Sequence, residues 1–415
     1  MRRKEKIRRI SWLVGLLFLF AVPPVWARMY SVETEHYRVS TDVDERFAEL
    51  IGEHMENIYD EYRRRFEEYD LRSHDRFEVK VFQERADYEA AIPDALSGSN
   101  GAFVSSDKLL AAFKEGRTEE DVFKTLYHEG FHQWLFTRVG ARVPLWINEG
   151  FAEYFSEAAW DGRRFATGQV PRERLMILQE ARERDELIAL DKLFQMQDKG
   201  WLANVRSGEA SLQYTQAWSI VHFLCHARGG RYRKRLLRYL RRLADGKEED
   251  RAFRKSFGDD MERMEEAWQK YMAGLEPDEQ EVCKGNMETV MFLAGEVYDD
   301  VREFDDLKEL YDKLTDDRLK WEMESSYGET ISSSDTKKVR GLFTCPGDDN
   351  PDGSSYILLR NPDTGLPELF CMHHRGNVIR VRYEREGDDL TVRSQRVVRA
   401  TLPEGLQKAL KKHAR

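Results

Sequence analysis

The chain has 415 residues, a formal net charge of −10, 41% hydrophobic and 12% aromatic residues, and 34% charged residues of mixed sign. That is more than one ordinary domain requires and enough apolar material for a sizeable core, which excludes a disordered or low-complexity chain. The acidic balance also argues against a nucleic-acid partner.

The first residues carry an address. Arg2, Arg3, Lys4, Lys6, Arg8 and Arg9 precede an apolar run from Ile10 to Val22, and Val25-Trp26-Ala27 fits a small-residue cleavage site. Residues 1–27 therefore read as a signal peptide. An uncleaved membrane anchor is the alternative, but Pro23-Pro24 and the short apolar run favour cleavage, leaving no stable membrane span. No cysteine follows the site to take a bacterial lipid anchor. The expected location is exported, periplasmic or extracellular.

Glu35 to Ser40 alternates as a strand, and a helix is expected from about Asp44 to Tyr69. Arg76 to Gln83 alternates again, with Phe77, Val79 and Val81 on one face. After the loop Ser97–Gly101, the segments Ala102–Ser105 and Leu109–Phe113 bracket a turn at Ser106-Asp107-Lys108.

Thr118, three residues before Asp121, opens a helix that runs to Val139 and stops at Gly140. It carries Tyr127-His128-Glu129-Gly130-Phe131-His132, an H-E-x-x-H pattern. Residues four apart share a helix face, so His128 and His132 can offer two imidazoles to one metal ion. Glu129 lies beside that site, where a carboxylate can take a proton from activated water. Tyr127, Phe131, Trp134 and Leu135 form an apolar stripe that would bury the helix. Sixteen residues on, Asn148-Glu149-Gly150-Phe151-Ala152-Glu153-Tyr154 reads as a second helix with Asn148 as its N-cap and Glu149 and Glu153 one turn apart. Glu149 can supply a third ligand, completing a His, His, Glu set with an open fourth position, as catalytic zinc requires.

The extended metzincin pattern would place Gly and His three and six residues after His132, where this chain has Leu135 and Arg138. The motif pair instead resembles that of the gluzincins, which include thermolysin and the zinc aminopeptidases. The resemblance implies one Zn2+ per chain held by His128, His132 and Glu149, with Glu153 and Asn148 as supporting residues. It implies Glu129 as the general base and Tyr214, 65 residues after Glu149, as a group that stabilises the oxyanion. Tyr214 also fits an apolar helix stripe with Trp218, Val221 and Cys225. His222 and His226 read as helix histidines with local partners. No segment like the Gly-Ala-Met-Glu-Asn element of the aminopeptidases occurs upstream, so an endopeptidase acting on a peptide or protein substrate is expected. As a whole, residues 28–275 resemble the peptidase MA-like domains of exported bacterial proteins. A noncatalytic envelope protein that kept this fold is the alternative, and the intact Glu129 argues against it.

From Pro171 to Leu275 the pattern is helical, most clearly at Leu187–Met196, Gln213–Ala227, Tyr232–Ala244 and Met261–Met272. Eight basic residues fall between Arg228 and Leu243, but Leu236, Leu237, Leu240 and Leu243 mark an inward face, so the charges read as a solvated flank. Residues 276–330 hold 18 acidic and 6 basic residues, and 276–335 is expected to be an acidic helical linker. Residues 336–415 read as a small antiparallel β module, with strands at Val339–Thr344, Ser355–Leu359, Glu368–His373, Val378–Tyr383 and Leu390–Val397. His373-His374 point to opposite faces of a strand and do not suggest a metal site. Cys345 and Cys371 are the expected disulfide partners, worth about 3 kcal/mol by loop entropy. Cys225 and Cys283 could form a second pair, with a buried thiol at Cys225 the equal alternative. The fold class expected is α+β: a gluzincin-like domain with a mostly helical second half, then the β module.

Overall fold

The computed structural model describes residues 28–66, 76–140, 143–197, 199–201, 204, 210–324, 330–346, 355–372, 377–387, 389–399 and 402–413. The signal-peptide segment and His373-His374 lie outside the described residues. The architecture is α+β, with two cores.

The first core is built on a five-stranded mixed sheet of order β1-β2-β3-β5-β4, formed by Tyr30–Glu33, Tyr37–Thr41, Phe77–Phe82, Gly101–Val104 and Leu109–Phe113 in chain order. Tyr37, Val39 and Thr41 in β2, and Phe77, Val79 and Val81 in β3, are buried at every second position, which is the period of a half-covered strand. Helix α1 (Glu45–Arg65) makes the crossover between the parallel strands β2 and β3. Asp44 caps it by accepting from the Phe47 amide, and Phe47, Leu50, Ile51, Ile58 and Tyr62 form its buried stripe. Helix α2 (Arg85–Ala91) follows β3.

Helix α3 (Glu119–Arg138) packs on β5, β4 and α1. Its start is a reciprocal capping box: the Asp121 amide donates to Thr118 Oγ1 at 3.1 Å, and the Thr118 amide donates to Asp121 Oδ2 at 3.0 Å. Gly140, at φ +89°, ends it. Helix α4 (Leu145–Ser156) has Pro144 at its N-cap, four residues before the expected cap at Asn148. Pro144 supplies a fixed φ and no amide to satisfy, so Asn148 is inside the helix rather than its cap. The hairpin β6 (Ala159–Trp160) and β7 (Phe165–Ala166), α5 (Arg172–Glu183), α6 (Leu190–Phe194) and α7 (Ala210–Gly230) follow. A Cβ on Gly150 would stand 2.5 Å from the carbonyl oxygen of Ala217, so α4 and α7 meet at a distance only glycine permits. Helix α7 breaks at Ala227 to Gly229. The basic helix α8 (Arg233–Ala244) then buries Leu236, Tyr239, Leu240 and Leu243 and turns its cations outward. Helices α9 (Glu249–Phe257) and α10 (Met261–Met272) complete this half.

The second core joins helices α11 (Glu279–Val297), α12 (Leu307–Leu314) and α13 (Thr336–Gly341) to a four-stranded antiparallel sheet. Its strands run in chain order: β10 (Tyr356–Arg360), β11 (Pro367–Cys371), β12 (Asn377–Glu386) and β13 (Asp389–Val398). The small pair β8 (Glu322–Glu324) and β9 (Thr330–Ser332), and α14 (Glu404–His413), flank it. Three expectations are corrected here. The acidic segment is not a linker: Cys283, Met287, Val290, Met291, Leu310 and Leu314 supply the core on which the sheet rests. Its carboxylates occupy the outer faces, and composition alone does not reveal the stripe beneath them. The segment expected as strand Val339–Thr344 opens in helix α13, because Asp335 caps it and Val339, Leu342 and Phe343 reach the core at helical spacing. Finally, Cys345 is bonded to Cys283, not to Cys371. Packing of α11 over the sheet delivers Cys283 to the same buried spot, and Cys371 Sγ lies 3.1 Å from Cys345 Sγ. Cys225 remains a half-buried thiol on α7.

The two cores meet where β13 lies against α3. Arg396 of β13 donates from Nε to Glu120 Oε1 at 2.6 Å, and its amide donates to the same carboxylate. Asp278 accepts from the Val170 amide. Among the described residues no helix is long and apolar enough to cross a membrane.

Candidate metal centre

Helices α3 and α4 run antiparallel and put His128, His132 and Glu149 together. The Nε2 atoms of the two histidines are 3.0 Å apart, and Glu149 Oε2 lies 3.6 Å from His128 Nε2 and 3.5 Å from His132 Nε2. Zinc with bonds of about 2.0–2.1 Å in tetrahedral geometry spaces its ligand atoms about 3.3 Å apart. The three donors thus already stand close to the edges of such a tetrahedron, and they fit the ion.

Each imidazole has its outer nitrogen held. His132 Nδ1 donates to Asn148 Oδ1 at 2.9 Å, and Glu153 Oε1 lies 3.4 Å from His128 Nδ1. These partners fix the tautomer that leaves Nε2 as the lone-pair donor. The shift of the α4 start to Leu145 is what makes this possible, since an Asn148 engaged in capping could not also hold His132. Burial by itself would depress both imidazoles. The neighbouring carboxylates reverse this, Glu153 and Glu149 raising His128 above its usual value, and Glu149 taking His132 up to about 9. Burial would likewise raise Glu149, but the two imidazoles hold it well below the usual carboxylate range. The pocket therefore favours a cation before any metal is considered.

Glu129 follows His128 and faces the edge strand β4. A Cβ on Gly101 would stand 3.4 Å from Glu129 Cγ and 2.3 Å from Thr125 Cγ2, so β4 runs hard against this face of α3. Tyr214, on α7, is half-buried with its ring edge-on to Trp201 at 5.2 Å. Burial first, then the charges of Glu149, Glu153 and Glu129, raise its phenol. Tyr214 packs against the first core, as the apolar-stripe reading expects. His222 and His226 stay outside the centre: His222 meets the Gly168 carbonyl and Tyr271, and His226 meets Tyr154.

Sequence reasoning passed over Lys124, Glu157 and Arg174. Lys124 Nζ is 2.8 Å from Glu157 Oε2, and the Arg174 guanidinium reaches both Glu157 and Glu153. Lys124 stands four residues before His128, and Glu157 four after Glu153. That continued step of four was the available signal for those two; Arg174, on another helix, had none.

The family described as "Protein of unknown function (DUF1570)" matches residues 122–249. The matched segment contains His128, Glu129, His132, Glu149, Glu153, Arg174 and Tyr214, and it is a minority of the chain. No curated protein matches the chain.

Proposed function

We propose that the protein is an exported zinc-dependent peptidase of gluzincin type. The observation that carries this reading is the convergence of His128 Nε2, His132 Nε2 and Glu149 Oε2 at mutual distances of 3.0–3.6 Å, with Glu129, which is not needed as a ligand, next to His128 in the chain. When bound there, zinc supplies Lewis acidity, polarising a peptide carbonyl and lowering the pKa of water to about 7. Asn148 and Glu153 keep the imidazoles aimed. Glu129 takes the proton from the attacking water and passes it to the departing amine. Tyr214 donates its hydroxyl to the oxygen that gains charge as the carbonyl carbon becomes tetrahedral. The edge position of β4, next to Glu129, suits an extended chain that adds as a further strand and is read through its backbone. Such binding runs past both sides of the scissile bond, which favours an endopeptidase acting on a peptide or protein outside the cytoplasm.

The test combines metal and turnover. Elemental analysis of the mature protein should find one zinc per chain, and Glu129→Gln should keep that zinc while losing cleavage of a denatured-protein panel. Full zinc together with undiminished cleavage in Glu129→Gln would remove Glu129 from the mechanism. Absence of zinc in the wild type would remove the reading altogether. A peptide pair with free and acetylated N-termini separates the modes, since an endopeptidase cuts both.

A further inference from the structure

The two ligand helices carry a polar ladder that does not stop at the metal centre. On α3 the residues at one face, in steps of four, are Glu120, Lys124, His128 and His132, and on α4 and its C-cap they are Glu149, Glu153 and Glu157. Because the helices are antiparallel, the rungs pair in reverse order. His132 faces Glu149 at 3.5 Å, His128 faces Glu153 at 3.4 Å, and Lys124 faces Glu157 at 2.8 Å. Beyond the end of α4, Glu120 meets Arg396 of the second core at 2.6 Å.

Arg174, projecting from α5, closes the side of this ladder. Its Nη2 donates to Glu153 Oε2 and, at 3.0 Å, to Glu157 Oε1, while Nε donates to Glu157 Oε1 at 3.1 Å. The side chains of Arg174, Glu153 and Glu157 are only 14%, 15% and 9% exposed, so the pairing is sheltered from solvent and salt. The two oxygens of Glu153 are thereby divided, Oε2 to Arg174 and Oε1 toward His128 Nδ1. A carboxylate held at one oxygen by a planar, always-charged group cannot swing, which directs its other oxygen. Lysine is a point charge and could not span both carboxylates in the same way.

We propose that Arg174 is a positioning residue for the metal centre: it clamps Glu153, and through Glu153 sets the orientation of His128. This inference rests on the zinc reading of the site and adds a residue to it. Arg174 touches neither the ligand atoms nor a substrate, so its effect must pass through Glu153. Partners of ligand residues commonly change metal affinity about 10–100-fold, and Arg174, one hydrogen bond further out, belongs at the lower end of that range.

The experiment measures zinc affinity by competition with a chromophoric chelator, alongside the melting of the zinc-free proteins. The set is wild type, His132→Ala, Glu153→Gln, Arg174→Gln, Arg174→Lys and the Glu153→Gln, Arg174→Gln double variant. Arg174→Gln should weaken zinc about tenfold, Arg174→Lys should lie between it and wild type, and the double variant should bind no more weakly than Glu153→Gln alone. That lack of additivity is what a merely structural arginine would not produce. Should Arg174→Gln fail to fold, Arg174→Lys with and without Glu153→Gln runs the same cycle. Wild-type affinity in the arginine variants, or losses that multiply in the double variant, would overturn the proposal while leaving the zinc site standing. If His132→Ala binds zinc as tightly as wild type, the zinc reading fails and this inference with it.

Discussion

The two cores hold their interiors together by different means. Around α3 and α4 the structure shelters Glu120, Lys124, His128, Glu149, Glu157 and Arg174, and each meets an opposite charge. In the second core the interior is formed by residues such as Met287, Val290, Leu310, Leu369 and Val381, with the sheltered ion pair Glu368–Arg380 on its sheet, and its cross-link is Cys283–Cys345. The proposed metal site needs charged donors in fixed places, and buried charge is tolerable only when paired. The second core relies chiefly on apolar burial and a covalent link. The first half thus adds a strip of paired charges to its own large apolar core, and substitutions in each half can test that contrast.

The largest effects belong to the proposed ligands and base. His128→Ala, His132→Ala and Glu149→Ala should each abolish stoichiometric zinc binding, read by elemental analysis of the purified proteins. Glu129→Gln should keep the metal and lower peptide cleavage by about 10²–10⁴-fold, the range for a lost general base. Stoichiometric zinc in all three ligand variants would make the polar face of α3 a stability device like any other.

Next come the ties of each half. The Cys283–Cys345 link spans 62 residues, for which chain entropy gives about 4 kcal/mol. Cys283→Ser should lose an amount of that order in denaturant unfolding, and non-reducing peptide mapping of the wild type should recover the Cys283–Cys345 pair. Recovery of Cys345 joined to Cys371 instead would move the link from α11 to the sheet itself. Arg396 and Glu120 are 8% and 10% exposed. Removing one member of a buried pair costs about 3–5 kcal/mol, so Arg396→Ala should destabilise by that much. The loss should fall at the junction of the cores, seen as faster hydrogen exchange in α3 and β13. Unchanged exchange there would mean that the cores are joined chiefly by apolar contact.

The smallest effect concerns pH. His54 is buried on α1, stacked on Phe123 at 3.9 Å and hydrogen-bonded to Tyr127, and desolvation lowers its pKa to about 3. In the unfolded chain it titrates at about 6.5. The unfolded state therefore binds the proton first, so the stability is fully present above about 6.5 and declines as pH falls toward about 3, by at most about 1.4 kcal/mol per unit. Glu157 acts in a lower window. Burial would raise it, but Lys124 and Arg174 bring it to about 2, so its contribution is present above about 4.5 and is lost as pH falls to about 2. Between pH of about 6.5 and about 4.5 the stability of zinc-free wild type should therefore fall more steeply than that of His54→Asn. Parallel profiles would show that His54 is protonated in the folded protein at little cost.

Features that depend only on local spacing were legible in the amino-acid sequence. His128, Glu129 and His132 lie within one helix, where a step of four decides which groups share a face, and a capping box and Gly140 bound that helix with no tertiary help. Strands β2 and β3 were equally legible, because alternation is also a local property, and β10 to β13 were legible from the turn residues between them. Other features arose only when separate elements packed together. Asn148 carries an N-cap signature, but the chain entering at Pro144 starts the helix earlier and frees that side chain for His132. The carboxylates of residues 276–330 hide an apolar stripe whose partner, the sheet, lies further along the chain. Cys345 had Cys371 and Cys283 both within reach, and only the packing of α11 set the pairing. Arg174 is 21 residues from Glu153 on a helix with no fixed phase to α4. Local periodicity specifies a face, whereas contacts between separate elements depend on how their axes come together in the folded chain.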